Sequence, residues 1–222
     1  MFDKTPPADF TVGLLTPTGG NQVADFWNLT NTGMDIIVPV ANDTTLKNGT
    51  VQLYGKVGSN NFEVLGNISI ILFSEINADK TISIAGDLIE GLTGFADGQT
   101  IYIKAIMNDR PGNSKEGSQS ITEILIDETP ATITPISILS NNNNSSLAKV
   151  GDSVTVSFST SESLIDTLVK IEEQLAIVSG LGSNQFIGVY EMGEANIEGV
   201  IPFEISFIDF QGNPFTISDS TT

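Results

Sequence analysis

The chain has 222 residues, enough for one large domain or for two of about 100 residues, the usual size of a β-sandwich. Its 27 acidic and 9 basic side chains leave a net charge of -18, which argues against partners that present phosphate or anionic lipid, because the chain as a whole repels them. Histidine and cysteine are both absent, which removes Ser-His-Asp and Cys-His nucleophiles, zinc sites built on those residues and disulfide staples. The apolar fraction of 40% suffices for a packed core. The acid excess suits a solvated surface or the gathering of divalent cations. No run approaches the ~20 apolar residues of a membrane span. Met1-Phe2-Asp3 does not open a signal peptide, so an export signal is expected outside this segment, with Met1 an expression start.

In chain order the periodicity predicts strands almost throughout. Asp35–Val40, Thr50–Val57 and Thr100–Ile106 are short apolar or alternating runs bounded by Gly, Asn and Asp. Between them, Ala85–Leu92 predicts a short helical turn. Later come Ser153–Phe158, Gln185–Tyr190 and Pro202–Ile208; in the last, Phe203, Ile205 and Phe207 share one face, as a half-buried antiparallel strand requires. Asp166–Leu175 fits helix or strand and is read as strand, in keeping with its neighbours. Short strands at such spacing predict an all-β chain built as sandwiches.

The chain also repeats itself. Asp3-Lys-Thr5-Pro6 recurs as Asp127-Glu-Thr129-Pro130, and Asp219-Ser-Thr221 resembles a third start. Asp109-Arg-Pro-Gly112-Asn113 recurs as Asp209-Phe-Gln-Gly212-Asn213, each time directly after an apolar strand. Two motifs recurring in the same order indicate a tandem array. Two domains are therefore expected, 1–126 and 127–222. The polar stretch Asn141–Ser146 is read as a loop between the first two strands of the second domain, not as a linker.

These residues carry a family likeness. Asp-x-Thr-Pro, then Lys149–Glu162 (KVGDSVTVSFSTSE), then Phe203–Asn213 (FEISFIDFQGN) resemble, in that order, the bacterial Ig-like repeats of large surface adhesins. The first domain, through Thr16–Gly20, Thr93–Gly98 and Asp109–Asn113, resembles a longer repeat type of the same class. The resemblance implies two tandem immunoglobulin-like antiparallel β-sandwiches, a cell-surface location, an adhesive or spacer role without catalysis, and structural calcium.

In an Ig-like sandwich the first strand starts at the end that carries the loops after strands two and six. Asp127, Glu162 and Asp209 are thereby expected to converge beside the linker, and Asp3, Asp43 and Asp109 offer a matching set in the first domain. Calcium takes six to eight oxygen ligands, an inventory such an apex supplies. The plainer alternative is that Asp-x-x-Gly-Asn is a hairpin turn whose Asp bonds its own backbone.

Other candidates are weaker. Glu172 with Glu173, and Glu191 with Glu194, invite a two-carboxylate hydrolase reading, but the first pair would point to opposite faces of a strand and the second lies in a loop. Trp27, the sole tryptophan, is placed between strands one and two, packing across an open end of the sandwich or contacting a ligand. Asn28, Asn48 and Asn67 match the glycosylation acceptor pattern, as an Asn- and Thr-rich chain does by chance. Lys104 and Lys170 are the lysines considered for an isopeptide crosslink, which is not expected because no motif pins an Asn partner.

Three roles remain: a spacer, stiffened by calcium at the linker, that works beside neighbouring repeats; a module that itself binds cell-surface glycan or protein; and a subunit of an extracellular filament. Aromatics are few, at 7%, and no cluster of exposed ones is expected, which favours the spacer over the glycan binder. Neither nucleic acid nor membrane insertion is expected.

Overall fold

The computed structural model describes residues 3–219, so Ser220 and Thr221 of the third expected repeat start, like Met1, lie outside the described residues. The chain is all-β, 49% strand and 5% helix, in several antiparallel sheets. It divides into two compact units, Met1–Glu128 and Thr129–Thr222. The division falls two residues beyond the expected start at Asp127, and the cause is hydrogen bonding. The Asp127 N–H donates to Trp27 O at 2.8 Å, the Glu128 N–H to Asp97 Oδ1 at 2.8 Å, and Trp27 Nε1 to Glu128 Oε1 at 3.2 Å. Asp127 is thus the tail of the first unit, not the entry to the second.

The first unit runs β1 (Leu15–Thr18), β2 (Phe26–Trp27), β3 (Gly33–Val40), β4 (Thr50–Val57), β5 (Glu63–Ile70), β6 (Ala78–Ala85), α1 (Gly86–Glu90), β7 (Thr100–Asn108), β8 (Ser114–Glu116) and β9 (Ile124–Ile126). One sheet has the order β1-β3-β6; the other has β2-β9-β7-β4-β5, with β8 also on β7. The one-turn helix stands where the sequence predicts it. Strict alternation in β4 and β7 turns Val51, Leu53, Ile101, Ile103, Ala105 and Met107 inward against Met34, Ile36 and Val38 of β3, which makes one core between two sheets. A β-bulge interrupts β5 at Gly66, whose φ of +65° suits glycine, and the Gln52 amide bridges the gap by donating to Leu65 O and Gly66 O at 3.3 and 3.2 Å.

Within this core boundary lies a cation that periodicity does not reveal. Lys80 is buried, and its ammonium donates to both oxygens of Glu75 at 2.9 and 3.0 Å and to Ile70 O at 3.0 Å. Burial pushes the Glu75 carboxyl up, but the Leu72 N–H and the Lys80 bond and charge outweigh it, leaving it below its ordinary 4.5. An acid held lower when folded contributes stability above its ordinary value and loses it as pH falls through the folded one. The first unit is therefore expected to unfold at less urea at pH 3 than at pH 7, and Lys80→Met should flatten that part of the pH dependence. Tryptophan emission is the readout, and an unchanged slope in the variant would refute the assignment.

The second unit runs β10 (Ile133–Ser140), β11 (Ser153–Thr160), β12 (Leu164–Ile171), β13 (Gln174–Leu175), β14 (Ile177–Gly182), β15 (Gln185–Glu191), β16 (Phe203–Asp209) and β17 (Pro214–Asp219). Its sheets have the orders β10-β11-β15-β14 and β13-β12-β16-β17, packed around Val154, Val156, Phe158, Val169, Phe203, Ile205 and Phe207. The Asn-rich stretch is the β10–β11 loop, folded on itself by side-chain turns such as Asn144 N–H to Asn142 Oδ1 at 3.2 Å. Along β10 and β17 the two sheets part, leaving an apolar cleft of about 1050 Å³ lined by Ile136, Ile138, Met192 and Ile217.

Asp166–Leu175 is not one strand but two: β12 runs to Ile171 and β13 resumes at Gln174. Glu172 and Glu173 are the two central residues of a hairpin turn, since Ile171 pairs with Gln174, and both have positive φ, +52° and +61°. They do not alternate across a strand. Non-glycine side chains are strained there, and Asn-Gly is the pair that fits a two-residue turn of this hand. Replacing Glu172-Glu173 by Asn-Gly should stabilise the second unit by about 1–2 kcal/mol. A urea midpoint that stays put or falls would show that the turn has another geometry in solution.

Candidate functional site

Each unit carries a similar Asp-x-x-Gly-Asn turn, in which the Asp Oδ1 accepts the Asn N–H. Directly after β7, Asp109 Oδ1 accepts the N–H groups of Gly112 and Asn113, both at 2.7 Å, while Oδ2 accepts Asn113 Nδ2 at 2.8 Å. At the end of β16, Asp209 Oδ1 accepts the N–H groups of Gln211 and Asn213 at 3.1 and 2.8 Å, and Oδ2 accepts the Ala131 N–H at 3.2 Å. The Asp N–H returns to the Asn carbonyl at 3.0 Å in both turns. Gly112 and Gly212 sit at φ +101° and +100°, which explains why both motifs place glycine there. Asp109 and Asp209 are buried.

The loops expected to meet these turns do meet them. The Arg110 N–H donates to Thr45 O in the loop that begins with Asp43, and the Phe210 N–H donates to Ser163 O next to Glu162, each at 3.0 Å. The carboxylates of Asp3, Asp43 and Asp109 bond within their own loops, whereas that of Asp209 also reaches Ala131. Asp43 caps the short 3-10 turn Thr44–Leu46, accepting the N–H and hydroxyl of Thr45 at 2.8 and 2.7 Å, and Asp3 accepts the Thr5 N–H at 2.9 Å. Asp127 belongs to the first unit, whereas Glu162 and Asp209 belong to the second. Among the described residues no three acids gather as a metal-ligating group.

Trp27 does not lie in an exposed loop. It is fully buried in β2, edge-on to Phe95 with ring centroids 6.4 Å apart. Beside it, burial holds the Glu128 carboxyl above its ordinary range, with Glu90 and Asp97 adding to the effect and the Trp27 N–H opposing it. Asn28 is buried too, its amide donating to Asn21 O at 2.7 Å and its Oδ1 accepting the Thr30 N–H at 3.0 Å. Lys104 and Lys170 are ion-paired with Glu116 at 2.9 Å and Glu204 at 2.7 Å. Glu191 ends β15, and Glu194 follows in the loop beyond it.

One group escapes a reading of the sequence by runs. Tyr54 and Lys56 of β4 and Tyr102 and Lys104 of β7 occupy the outward positions of their strands, and antiparallel register sets Tyr54 opposite Lys104 and Lys56 opposite Tyr102. Phe62, from the β4–β5 turn, joins them. The Lys56 ammonium lies 5.1 Å from the Phe62 ring centre and 4.9 Å from that of Tyr102; the Lys104 ammonium lies 4.6 Å from Phe62 and 5.9 Å from Tyr54. The aromatics, scattered in sequence, therefore do cluster in space. The signal that marks them is the Tyr-x-Lys pattern repeated in two strands that pair.

Compared with protein-family models and with curated proteins, the chain matches none.

Proposed function

We propose that this chain is a non-enzymatic structural segment of an extracellular bacterial surface protein, two Ig-like repeats acting as an adhesive spacer beside further repeats. The observation that supports this most is the Asp-x-x-Gly-Asn clamp, built twice with matching bonds in two units that each hold their own core. A design used twice along one chain suits a protein whose task is reach. The high acid content keeps such a surface solvated.

Two measurements test it. A spacer sediments as a monomer at every concentration and unfolds under load in two discrete events; growth of mass with concentration would replace the spacer by the filament subunit. Calcium is tested by titration of metal-free protein. A rise in melting temperature at millimolar calcium adds the ion to the proposal as a stiffener, with carboxylates leaving their turns to bind it. An unchanged melting temperature removes calcium and leaves Asp109 and Asp209 as clamps alone.

A further inference from the structure

We propose that the solvent face of β4 and β7, centred on Lys56, Phe62 and Lys104, is a binding face for a carboxylate-bearing polysaccharide. This goes beyond the spacer reading and does not depend on it. None of the outward residues of β4 and β7 is acidic, although the chain has three acids for every base. Two lysines of the nine basic residues are brought onto one phenyl ring, so their ammonium groups are no farther apart than their two distances to its centre combined. Two positive charges on one exposed face make it locally cationic, and an anion complements such a face. Lys104 shares its charge with Glu116 at 2.9 Å, whereas among the described residues Lys56 has no carboxylate within ion-pair distance.

The rings hold the ammonium groups in place without neutralising them, since a cation over an aromatic face keeps its full charge. Next to them β5 exposes Val64, opposite Tyr54, at 62%, followed by Ile68 at 62% and Ile70 at 58%. Apolar ring and aliphatic surface beside fixed cations matches a uronic-acid chain, whose sugar rings present C–H faces and whose carboxylates recur along the polymer. The face is an open pleated sheet and not a pocket, which suits a long ligand lying across it. The negative field of the whole chain does not forbid this, because at 0.15 M salt charges beyond about 8 Å are largely screened.

The experiment uses the full chain in calcium-free buffer at 0.15 M salt, with polygalacturonate oligomers, their methyl esters, and polyglutamate as probes in calorimetry. Binding of polygalacturonate, weakened about tenfold or more by Lys56→Gln/Lys104→Gln and by Phe62→Ala, supports the proposal. Loss of binding to the methyl esters supports it as well. The double variant Lys115→Gln/Lys170→Gln makes the same change in net charge elsewhere and should bind within about twofold of the parent. Unaltered melting curves show that the variants are folded. Absence of polygalacturonate binding, equal loss in the control variant, or equal affinity for polyglutamate would each overturn the proposal, the last by pointing to an acidic protein partner instead.

Discussion

Replacing Asp209 by alanine is expected to lower the stability of the second unit by about 3 kcal/mol while leaving the first unit unchanged. The buried carboxylate accepts three backbone N–H groups, those of Ala131, Gln211 and Asn213. A methyl group accepts none, and a buried donor left without an acceptor costs about 1–3 kcal/mol. One of the three bonds spans 78 residues of chain, fastening the start of the unit to the end of β16. Asp209→Asn separates this tie from the turn. Its amide oxygen can still serve the Gln211 and Asn213 N–H groups, but its NH₂ then faces the Ala131 N–H, donor against donor. Asparagine should therefore lose about half as much as alanine. The units are distinguishable because the sole tryptophan sits in the first. In a urea titration, backbone circular dichroism should show one transition moved to lower urea while tryptophan emission stays where it was. A shift of the emission curve, or no shift in either, would count against the clamp.

Trp27→Ala should give the largest loss, about 4 kcal/mol, confined to the first unit. The indole is wholly buried, stacks edge-on with Phe95 and ties its strand to Glu128. Its removal leaves a cavity and also loosens the tail that closes the unit, since β2 pairs in parallel with β9 through only Phe26 and Trp27. Trp27→Phe keeps part of the packing and loses the hydrogen bond, so it should fall between parent and alanine. Hydrogen exchange at the Leu125, Ile126 and Asp127 amides is the sharper readout, because these donate to Asp25 O, Gln99 O and Trp27 O. Faster exchange there, with the β16 amides unaffected, is expected. Uniform acceleration in both units would contradict the independence of the two cores.

The strands that face water on one side were legible because alternation of period two is itself the physics of a half-buried strand. Thr50–Val57 and Thr100–Asn108 show it without interruption. The repeated turns were legible for the same kind of reason, because glycine at positive φ leaves a mark in the sequence. Pairings between distant residues leave no such mark. Nothing local tells that Lys80 reaches Glu75 under Ile70, that Asp127 belongs to Trp27, or that two Tyr-x-Lys runs lie side by side. Glu172-Glu173 was misread because neither residue is a turn former, and the hairpin imposes on them a conformation their side chains disfavour.

The bulge in β5 has a consequence for how many copies of this chain can live close together. Val64 to Ser74 is an eleven-residue stretch without a charge or a proline, and its part up to Ile70 forms the open edge of the larger sheet, where a flat ladder would invite a neighbouring chain to zip on. At Gly66 the ladder loses its register. Gln52 takes up the Leu65 and Gly66 carbonyls, and Lys80 takes that of Ile70. An incoming strand meets kinked backbone at Gly66 in place of a regular ladder. Copies brought close together then remain separate molecules, because the same edge resists the strand pairing that starts a fibril.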